Sequence, residues 1–201
     1  QLAEPYVDSD VLIIFVDTLF DADLSLVKRL PHDQAGVIWA KEVEDYQRFG
    51  VIVTDEDGNM KRIVEKPTDL ISKLANIGLY YIRDWKLLYQ GIRATMEGPT
   101  GRTGEYYLTD AFQYMIDHGA KIRVEEVKGW YDCGQTGTIL ETNRHLLENA
   151  GRARAPDGGR NVRIIDPVRI EQGVTIEDSE VGPNVTVGTG SVRGSSKVRG
   201  S

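Results

Sequence analysis

Two aspartates stand at the ends of predicted strands and could together hold a divalent metal ion. Asp17 follows the apolar run Val11 to Val16, and Asp132 lies in Trp130-Tyr-Asp-Cys-Gly134, between a predicted strand and a predicted helix. Ligands of open α/β sheets bind outside the carboxyl ends of the strands, and carboxylate oxygens suit Mg²⁺ that also binds substrate phosphates. A metal held there would neutralise phosphate charge and align the attacking and leaving oxygens. Each aspartate also has a simpler explanation as a turn residue, in the case of Asp132 an Asx turn.

A glutamate–lysine pair is the second candidate for chemistry. Glu65-Lys66-Pro67 closes a predicted hairpin, and Pro67 restricts the backbone so that the lysine leaves the strand in a defined direction. Lys66 can act as a point charge on a phosphate group, and Glu65 can accept hydrogen bonds from sugar hydroxyls. The alternative is a solvated ion pair at the end of a hairpin.

The elements that would position these residues follow an α/β pattern. The run Val11 to Val16 is typical of a strand buried on both faces of a parallel sheet. Turn residues at 55–59 separate two apolar stretches and predict a hairpin. Further strands are predicted at 36–40, 76–82 and 121–127, and helices at 24–30, after Asp84, from Thr109 or Asp110 to Gly119, and from Thr138. Strands that alternate with helices predict a layered α/β domain with a mainly parallel sheet.

The pattern changes near Gly151. A Gly- and Arg-rich stretch over residues 151–161 is predicted to be a linker, and no helical period follows it. Aliphatic residues then recur every five or six positions at Ile170, Ile176, Val181 and Val187, with glycines between them. Such a period is typical of a parallel β-helix whose short strands stack coil on coil. A disordered Gly-rich tail is the alternative, although disorder requires no periodic aliphatic residue.

Composition excludes several classes of protein. The 201 residues carry a formal net charge of −7, which argues against nucleic acid as the main partner, and the longest apolar run is too short to cross a bilayer. The single cysteine, Cys133, rules out an internal disulfide and fits a reducing compartment. We therefore expect a cytoplasmic protein that binds neither nucleic acid nor membrane.

A set of short motifs resembles the sugar-1-phosphate nucleotidyltransferase family, which includes glucose-1-phosphate thymidylyltransferase. The motifs occur in the family's order over roughly residues 1–150. They are Ile13-Ile-Phe-Val-Asp-Thr-Leu-Phe20, Arg48-Phe-Gly-Val51, Val64-Glu-Lys-Pro67, Ala75-Asn-Ile-Gly-Leu-Tyr80, Gly104-Glu-Tyr-Tyr-Leu-Thr-Asp110 and Trp130-Tyr-Asp-Cys-Gly134. The resemblance implies a Rossmann-like, three-layer α/β nucleotidyltransferase domain over residues 1–150, incomplete at its N-terminus. Many family members also carry a left-handed β-helix, which would here occupy residues 162–201.

The resemblance assigns roles to residues at the matching positions. Asp17 and Asp132 would hold Mg²⁺ and, with Lys66, form the catalytic set. The substrate-binding residues would be Gly50, Glu65, Lys66, Asn76, Gly78 and Arg102. The implied reaction is attack by a sugar 1-phosphate, such as glucose 1-phosphate, on the α-phosphorus of dTTP or UTP, with release of pyrophosphate. No covalent enzyme intermediate is needed, so positioning and electrostatics would supply most of the catalysis.

Two departures from the family pattern qualify this expectation. Val16 stands where the family has glycine, and its side chain could crowd the nucleotide or shift the metal. The Gly-rich, Arg-containing loop that cradles the triphosphate in the family does not occur in the printed sequence. We therefore expect about the first third of the catalytic domain to be absent and the chain alone to be inactive.

A homo-oligomer is expected because the short β-helix leaves an open edge. The alternative hypothesis is a non-catalytic regulatory or scaffolding relative with the same architecture.

Overall fold

The computed structural model describes residues 2–100, 104–149, 160–190, 192–194 and 196–200. The chain divides into two compact units, Gln1–Trp130 and Tyr131–Ser201. The strands are β1 Val11–Ile14, β2 Thr18–Asp21, β3 Gln34–Glu42, β4 Gly50–Thr54, β5 Met60–Glu65, β6 Leu74–Ile82, β7 Lys121–Glu126, β8 Gly129–Asp132, β9 Arg160–Ile164, β10 Val168–Ile170, β11 Thr175–Val181, β12 Val185–Val187, β13 Val192–Gly194 and β14 Lys197–Val198. The α-helices are α1 Trp85–Glu97, α2 Leu108–Asp117 and α3 Thr136–Asn149, and 3₁₀ helices span Glu4–Tyr6, Leu24–Arg29 and Tyr46–Arg48.

The first unit is built on a six-stranded mixed sheet in the order β5-β4-β6-β3-β7, with β1 paired to β6. The predicted mainly parallel sheet is wrong, because β3–β7 is the one parallel pair among the described strands of this sheet. The β6 strand runs antiparallel to β1, β3 and β4, and β4 and β5 form the predicted hairpin. The tight turn between β4 and β5 makes these two strands antiparallel, because parallel neighbours need a long crossover connection.

The prediction that Val11 to Val16 is buried on both faces is also wrong. The strand β1 ends at Ile14, and its exposure alternates. Val11 and Ile13 pack against the core, whereas Leu12 and Ile14 are about half exposed and Val16 is fully exposed. A continuous apolar run cannot distinguish a doubly buried strand from one with a single buried face, because both contain only apolar letters.

Two apolar layers cover the sheet of the first unit. On one face, α1 and α2 pack through Leu88, Phe112 and Met115 onto alternate residues of β3 and β6, among them Ile38 and Tyr80. On the other face, the 3₁₀ helix Leu24–Arg29 packs near the set that includes Val37, Trp39 and Leu79. Successive residues of β3 therefore point alternately into one apolar layer and into the other.

The predicted start of α1 is confirmed, whereas α2 and α3 begin at other residues than predicted. Helix α1 begins after Asp84, whose Oδ1 accepts a hydrogen bond from the Leu87 N–H as expected. Helix α2 begins at Leu108, so that Thr109 lies inside the first turn and is not the cap. Helix α3 begins at Thr136, two residues before the predicted Thr138. Gly119 ends α2 with a φ of +86°, the left-handed conformation that glycine adopts without strain.

The second unit contains short strands that pair in parallel. Glu177 pairs with Arg160 and Val185 with Val168, in each case 17 residues further along the chain. The four predicted aliphatic positions, Ile170, Ile176, Val181 and Val187, are all buried. Helix α3 belongs to this unit, where the Asn143 side chain donates to the Asn184 carbonyl at 3.0 Å. This division falls earlier than the predicted boundary at residue 150. The predicted linker lies outside the described residues over 151–159, and its last two residues already belong to β9.

Among the described residues, no helix is both long enough and apolar enough to cross a membrane.

Candidate functional site

A split in the sheet of the first unit creates the candidate site. The β1 and β4 strands both pair with the same edge of β6, β1 at residues 79–82 and β4 at Ala75. The Phe15 N–H extends the first pairing by donating to the Gly78 carbonyl at 2.9 Å. Between these pairings, the described structure places no strand beside Asn76 and Ile77 on this edge. We call this gap on the edge of β6 the crevice, and it is the candidate site.

Four predicted or neighbouring residues meet at one point of this crevice. Gly50 and Glu65 pair across the β4–β5 hairpin. A methyl group added at Gly50 would lie 2.8 Å from Glu65 Oε2, 3.2 Å from Thr109 Cγ2 and 3.7 Å from Asn76 Nδ2. Glycine at position 50 is therefore what allows the carboxylate, the hydroxyl and the amide to converge. The predicted grouping of Gly50, Glu65 and Asn76 agrees with this geometry.

Glu65 is a partly buried carboxylate with an orienting donor. The Thr109 hydroxyl donates to Glu65 Oε2 at 3.3 Å. Burial raises the pKa of Glu65, while the Thr109 hydrogen bond and the positive charge of Lys66 lower the pKa and the negative charge of Asp110 raises it. A carboxylate that is desolvated and oriented in this way is suited to accept hydrogen bonds from a ligand.

Lys66 is held in an unusual conformation directly beyond Glu65. Its φ of +44° lies in the left-handed region, which few non-glycine residues adopt and which costs about 1–3 kcal/mol. The Lys66 N–H donates to the Phe49 carbonyl at 3.0 Å. Its Nζ lies 5.6 Å from the centroid of the Tyr107 ring, within the range of a cation–π interaction. The lysine thus leaves the hairpin in a left-handed conformation and not in the extended one that a following proline favours.

An aromatic wall borders the crevice at Gly78. This glycine has a φ of +77°, and an added methyl group would lie 2.5 Å from Phe15 Cδ2. The Phe15 ring contacts Tyr80 edge to face, with centroids 5.8 Å apart, and remains 43% exposed. Gly78 therefore lets an aromatic side chain close over the strand while one part of the ring stays accessible.

Tyr80 lies beneath the polar cluster. Its side chain is fully buried, and within the described part of the chain its hydroxyl makes no hydrogen bond. Burial raises the pKa of Tyr80. The Asn76 side chain lowers this pKa as a hydrogen-bond partner does, although the pair lacks the geometry of a formed bond, and the charge of Glu65 raises it. The Asn76 Oδ1 accepts instead from the Gly78 N–H at 3.1 Å.

The two predicted metal ligands lie in different units, Asp17 in the first and Asp132 in the second. The Asp17 side chain is exposed just beyond β1. Asp132 Oδ1 accepts a hydrogen bond from the Gly134 N–H at 3.0 Å, which is the Asx turn considered from the sequence. Among the described residues, no cluster of three or more acidic, histidine or cysteine side chains could hold a metal ion. Arg102, the remaining predicted ligand, lies outside the described residues.

Sequence reasoning did not assign four of the residues that line this site to ligand binding. Thr109 and Tyr107 lie in the Gly104–Asp110 motif, Tyr80 ends the motif that contains Asn76, and Phe15 lies two residues before Asp17. Their presence in the motifs was the available signal. Their roles depend on which strands and helices become neighbours, which single motifs do not reveal.

Comparison with known proteins identifies the family. Residues 3–149 match the family described as nucleotidyl transferase. The glucose-1-phosphate thymidylyltransferase of Streptomyces antibioticus is 32% identical over an alignment covering 93% of this chain and 57% of the relative. The bifunctional protein GlmU of Methanococcus aeolicus is 33% identical over 88% of this chain and 41% of the relative. The chain thus spans about half the length of these relatives.

Solved structures support the same fold. An apo UDP-glucose pyrophosphorylase superimposes with a TM-score of 0.61 at 23% identity, covering 74% of this chain and 57% of that protein. A nucleoside-diphosphate-sugar pyrophosphorylase from Vibrio cholerae gives a TM-score of 0.57 at 17% identity, covering 70% and 59%. The split sheet, the motifs that line it and the match over residues 3–149 agree, and the chain belongs to the nucleotidyl transferase family.

Proposed function

We propose that the crevice binds the sugar 1-phosphate of a nucleotidyltransferase reaction. The observation that carries the proposal is the convergence of the Glu65 carboxylate, the Asn76 amide and the Thr109 hydroxyl around Gly50. These groups supply both acceptors and donors within a few ångströms, as recognition of adjacent sugar hydroxyls requires. Phe15 offers an apolar surface beside them, which suits the C–H face of a sugar ring.

Lys66 is proposed to bind the phosphate group. It carries a positive charge on the residue next to the sugar-binding carboxylate, and its direction is restricted by its left-handed backbone and by Tyr107. A sugar 1-phosphate presents its phosphate next to its ring hydroxyls, so one ligand could contact Glu65 and Lys66 together. Glucose 1-phosphate is the proposed sugar substrate, and the thymidylyltransferase relative supports this choice.

The proposed reaction joins the sugar phosphate to dTTP or UTP. A phosphate oxygen of the sugar 1-phosphate attacks the α-phosphorus, and the bond from that phosphorus to the bridging oxygen of pyrophosphate breaks. In this reaction, Lys66 orients the attacking phosphate and offsets its charge, while Glu65 and Asn76 fix the ring. No protein group needs to take up a proton, because the attacking oxygen is already ionised.

Mg²⁺ is the proposed cofactor, with Asp17 and Asp132 as its ligands. Two carboxylates completed by substrate phosphates match the coordination that this ion prefers, and both aspartates have half-buried or exposed side chains. When bound, the ion would neutralise the charge on the phosphates. The Val16 side chain is fully exposed, at 104%, so it does not press against other residues of the first unit.

The second unit is proposed to be a left-handed parallel β-helix that supports a homo-oligomer. Its parallel pairing at a 17-residue offset and its buried aliphatic positions support a stacked coil. Charges also align along the stack, where Glu180 contacts Arg163 at 3.3 Å and Lys197 at 2.9 Å. Sedimentation of the purified chain would test the oligomer, and a monomer at micromolar concentration would contradict it.

Two measurements separate the catalytic proposal from a non-catalytic regulatory relative. Calorimetric titration with glucose 1-phosphate tests the crevice, and release of pyrophosphate with dTTP or UTP and Mg²⁺ tests turnover. We expect binding by the wild-type chain, loss of binding in Lys66→Ala and Glu65→Ala, and no turnover by this chain alone. Absence of sugar phosphate binding would refute the proposal, and binding without turnover in a longer form that contains a Gly-rich loop would favour the regulatory alternative.

A further inference from the structure

Two buried side-chain polar atoms lack a hydrogen bond among the described residues, the Tyr80 hydroxyl and one amide oxygen of Gln34. The Tyr80 hydroxyl is shielded from solvent and makes no hydrogen bond within the described residues. Two aromatic rings hold the Tyr80 ring in place. The ring centroid of Phe112 lies 4.7 Å from that of Tyr80, and the ring centroid of Phe15 lies 5.8 Å from it. The position of the hydroxyl is therefore fixed by packing.

A buried hydroxyl without a partner destabilises the folded state, because it has lost its hydrogen bonds to water. Phenylalanine would fill the same space without this loss. Such groups are rare in native proteins and point to a role outside folding. Asn76 lies on the same face of β6, four residues before Tyr80, and its side chain lowers the Tyr80 pKa as a hydrogen-bond partner does. The charge of Glu65 also reaches Tyr80 and raises its pKa. Asn76 and Glu65 both belong to the proposed sugar pocket.

We propose that Tyr80 is a positioning residue for the pocket, completing its hydrogen bonding with the Asn76 amide when a sugar 1-phosphate binds. This inference rests on the proposed function. Asn76 Oδ1 is already engaged by the Gly78 N–H, which fixes the orientation of the amide and leaves the two hydrogens of Nδ2. One hydrogen faces the Gly50 side of the crevice, where Nδ2 lies 3.7 Å from the position of an added methyl group. In the proposed complex the other hydrogen donates to the Tyr80 oxygen, which requires only a small shift of the amide and keeps the Gly78 hydrogen bond.

Tyr80→Phe separates this role from a structural one, because it removes only the hydroxyl. Calorimetric titration of the whole chain with glucose 1-phosphate should give a Kd raised about 2- to 10-fold, the range for one lost hydrogen bond. Inorganic phosphate, which needs Lys66 and not Asn76, should bind with an unchanged Kd. Denaturant unfolding of the variant should show an unchanged or higher midpoint, since an unsatisfied hydroxyl has been removed.

Tyr89→Phe is the matched control. Tyr89 is also buried, at 7% exposure, but lies on α1 away from the crevice residues, so its variant should keep both Kd values. Asn76→Ala should lose affinity, and adding Tyr80→Phe to it should cost nothing more, because the two side chains act as one unit.

Each outcome decides between the possibilities. An unchanged Kd for glucose 1-phosphate in Tyr80→Phe overturns the positioning role and leaves the proposed function intact. An equal rise in the Kd for phosphate, or a lowered unfolding midpoint, assigns Tyr80 to folding and also overturns it. If the wild-type chain binds phosphate but not glucose 1-phosphate, the proposed sugar pocket itself is wrong, and the role of Tyr80 falls with it.

Discussion

Replacing Gly50 with alanine should abolish tight sugar binding while leaving the fold intact. The added methyl group would lie 2.8 Å from Glu65 Oε2, which must retreat about 0.6 Å to reach an ordinary contact distance of 3.4 Å. The Thr109 Cγ2 at 3.2 Å restricts the retreat on that side. The carboxylate is then displaced from the point at which it meets Asn76 and Thr109, and the methyl group occupies the space of a sugar hydroxyl.

The expected loss of affinity follows from the bond that Glu65 can no longer make. A hydrogen bond to a charged group contributes about 1.5–3 kcal/mol, which corresponds to a Kd raised roughly 10- to 150-fold. The effect on stability should be small. Overpacking costs about 1 kcal/mol when the obstructing atom ends a flexible side chain, and the lower entropy of unfolded alanine offsets about half of it or more.

Calorimetric titration with glucose 1-phosphate and thermal unfolding would test both parts of this expectation. Gly137→Ala is the matched control, because no atom lies within 4 Å of its added methyl group and the residue is in α3, outside the crevice. This control should bind as the wild type does. A Gly50→Ala chain that binds glucose 1-phosphate within about twofold of wild type would refute the placement of the Glu65 carboxylate.

Three further predictions follow from the geometry. Burial raises the pKa of Glu65 above its ordinary value of 4.5, so sugar affinity should fall as the pH is lowered through that raised pKa, while the contribution of this group to folding stability should rise. Titrations from pH 7 to pH 4 would show this. Glu65→Gln should remove the contribution of Glu65 and leave only that of the ligand phosphate, which gains a proton at a pKa of about 6. Tyr107→Leu should weaken phosphate binding by Lys66 about 2- to 5-fold, whereas Tyr107→Phe should preserve it, as calorimetry with inorganic phosphate can show. Gly36→Ala should lower the free energy of unfolding by about 2–3 kcal/mol in denaturant titrations, because its methyl group would lie 2.5 Å from the rigid Tyr81 carbonyl oxygen; an unchanged midpoint would contradict the β3–β6 register.

Local patterns in the sequence were sufficient to predict most elements but not their neighbours. The hairpin around Asp55 to Asn59 and the cap at Asp84 depend on residues a few positions apart, and both were confirmed. The direction of β1 depends on its pairing with β6, whose residues lie 65 to 71 positions further along the chain, and it was predicted incorrectly. A long-range pairing leaves no local trace, because the same apolar letters satisfy parallel and antiparallel partners.

In the candidate site, too, local motifs predict the residues but not their arrangement in space. Motifs single out Gly50, Glu65 and Asn76, and the structure brings these residues together. The crevice itself arises because β1 and β4 share one edge of β6, a feature that no motif contains. Thr109 or Asp110 was predicted as the helix cap, because Ser, Thr and Asp favour such positions. Its hydroxyl instead orients Glu65, which becomes visible only when α2 is packed against the end of β5.

Departures from good folding chemistry gather at one corner of the first unit. Lys66 has a left-handed backbone, Glu65 is a partly buried carboxylate and Tyr80 has a buried hydroxyl without a partner in the described structure. Each feature costs stability by itself, and a chain selected only for folding would replace them with an unstrained residue, a neutral side chain and phenylalanine. Glu65 connects the three features, because it precedes Lys66 in the chain and its charge acts on Tyr80. Such a concentration of unfavourable features is typical of a ligand site, and these residue types suit the sugar phosphate proposed above.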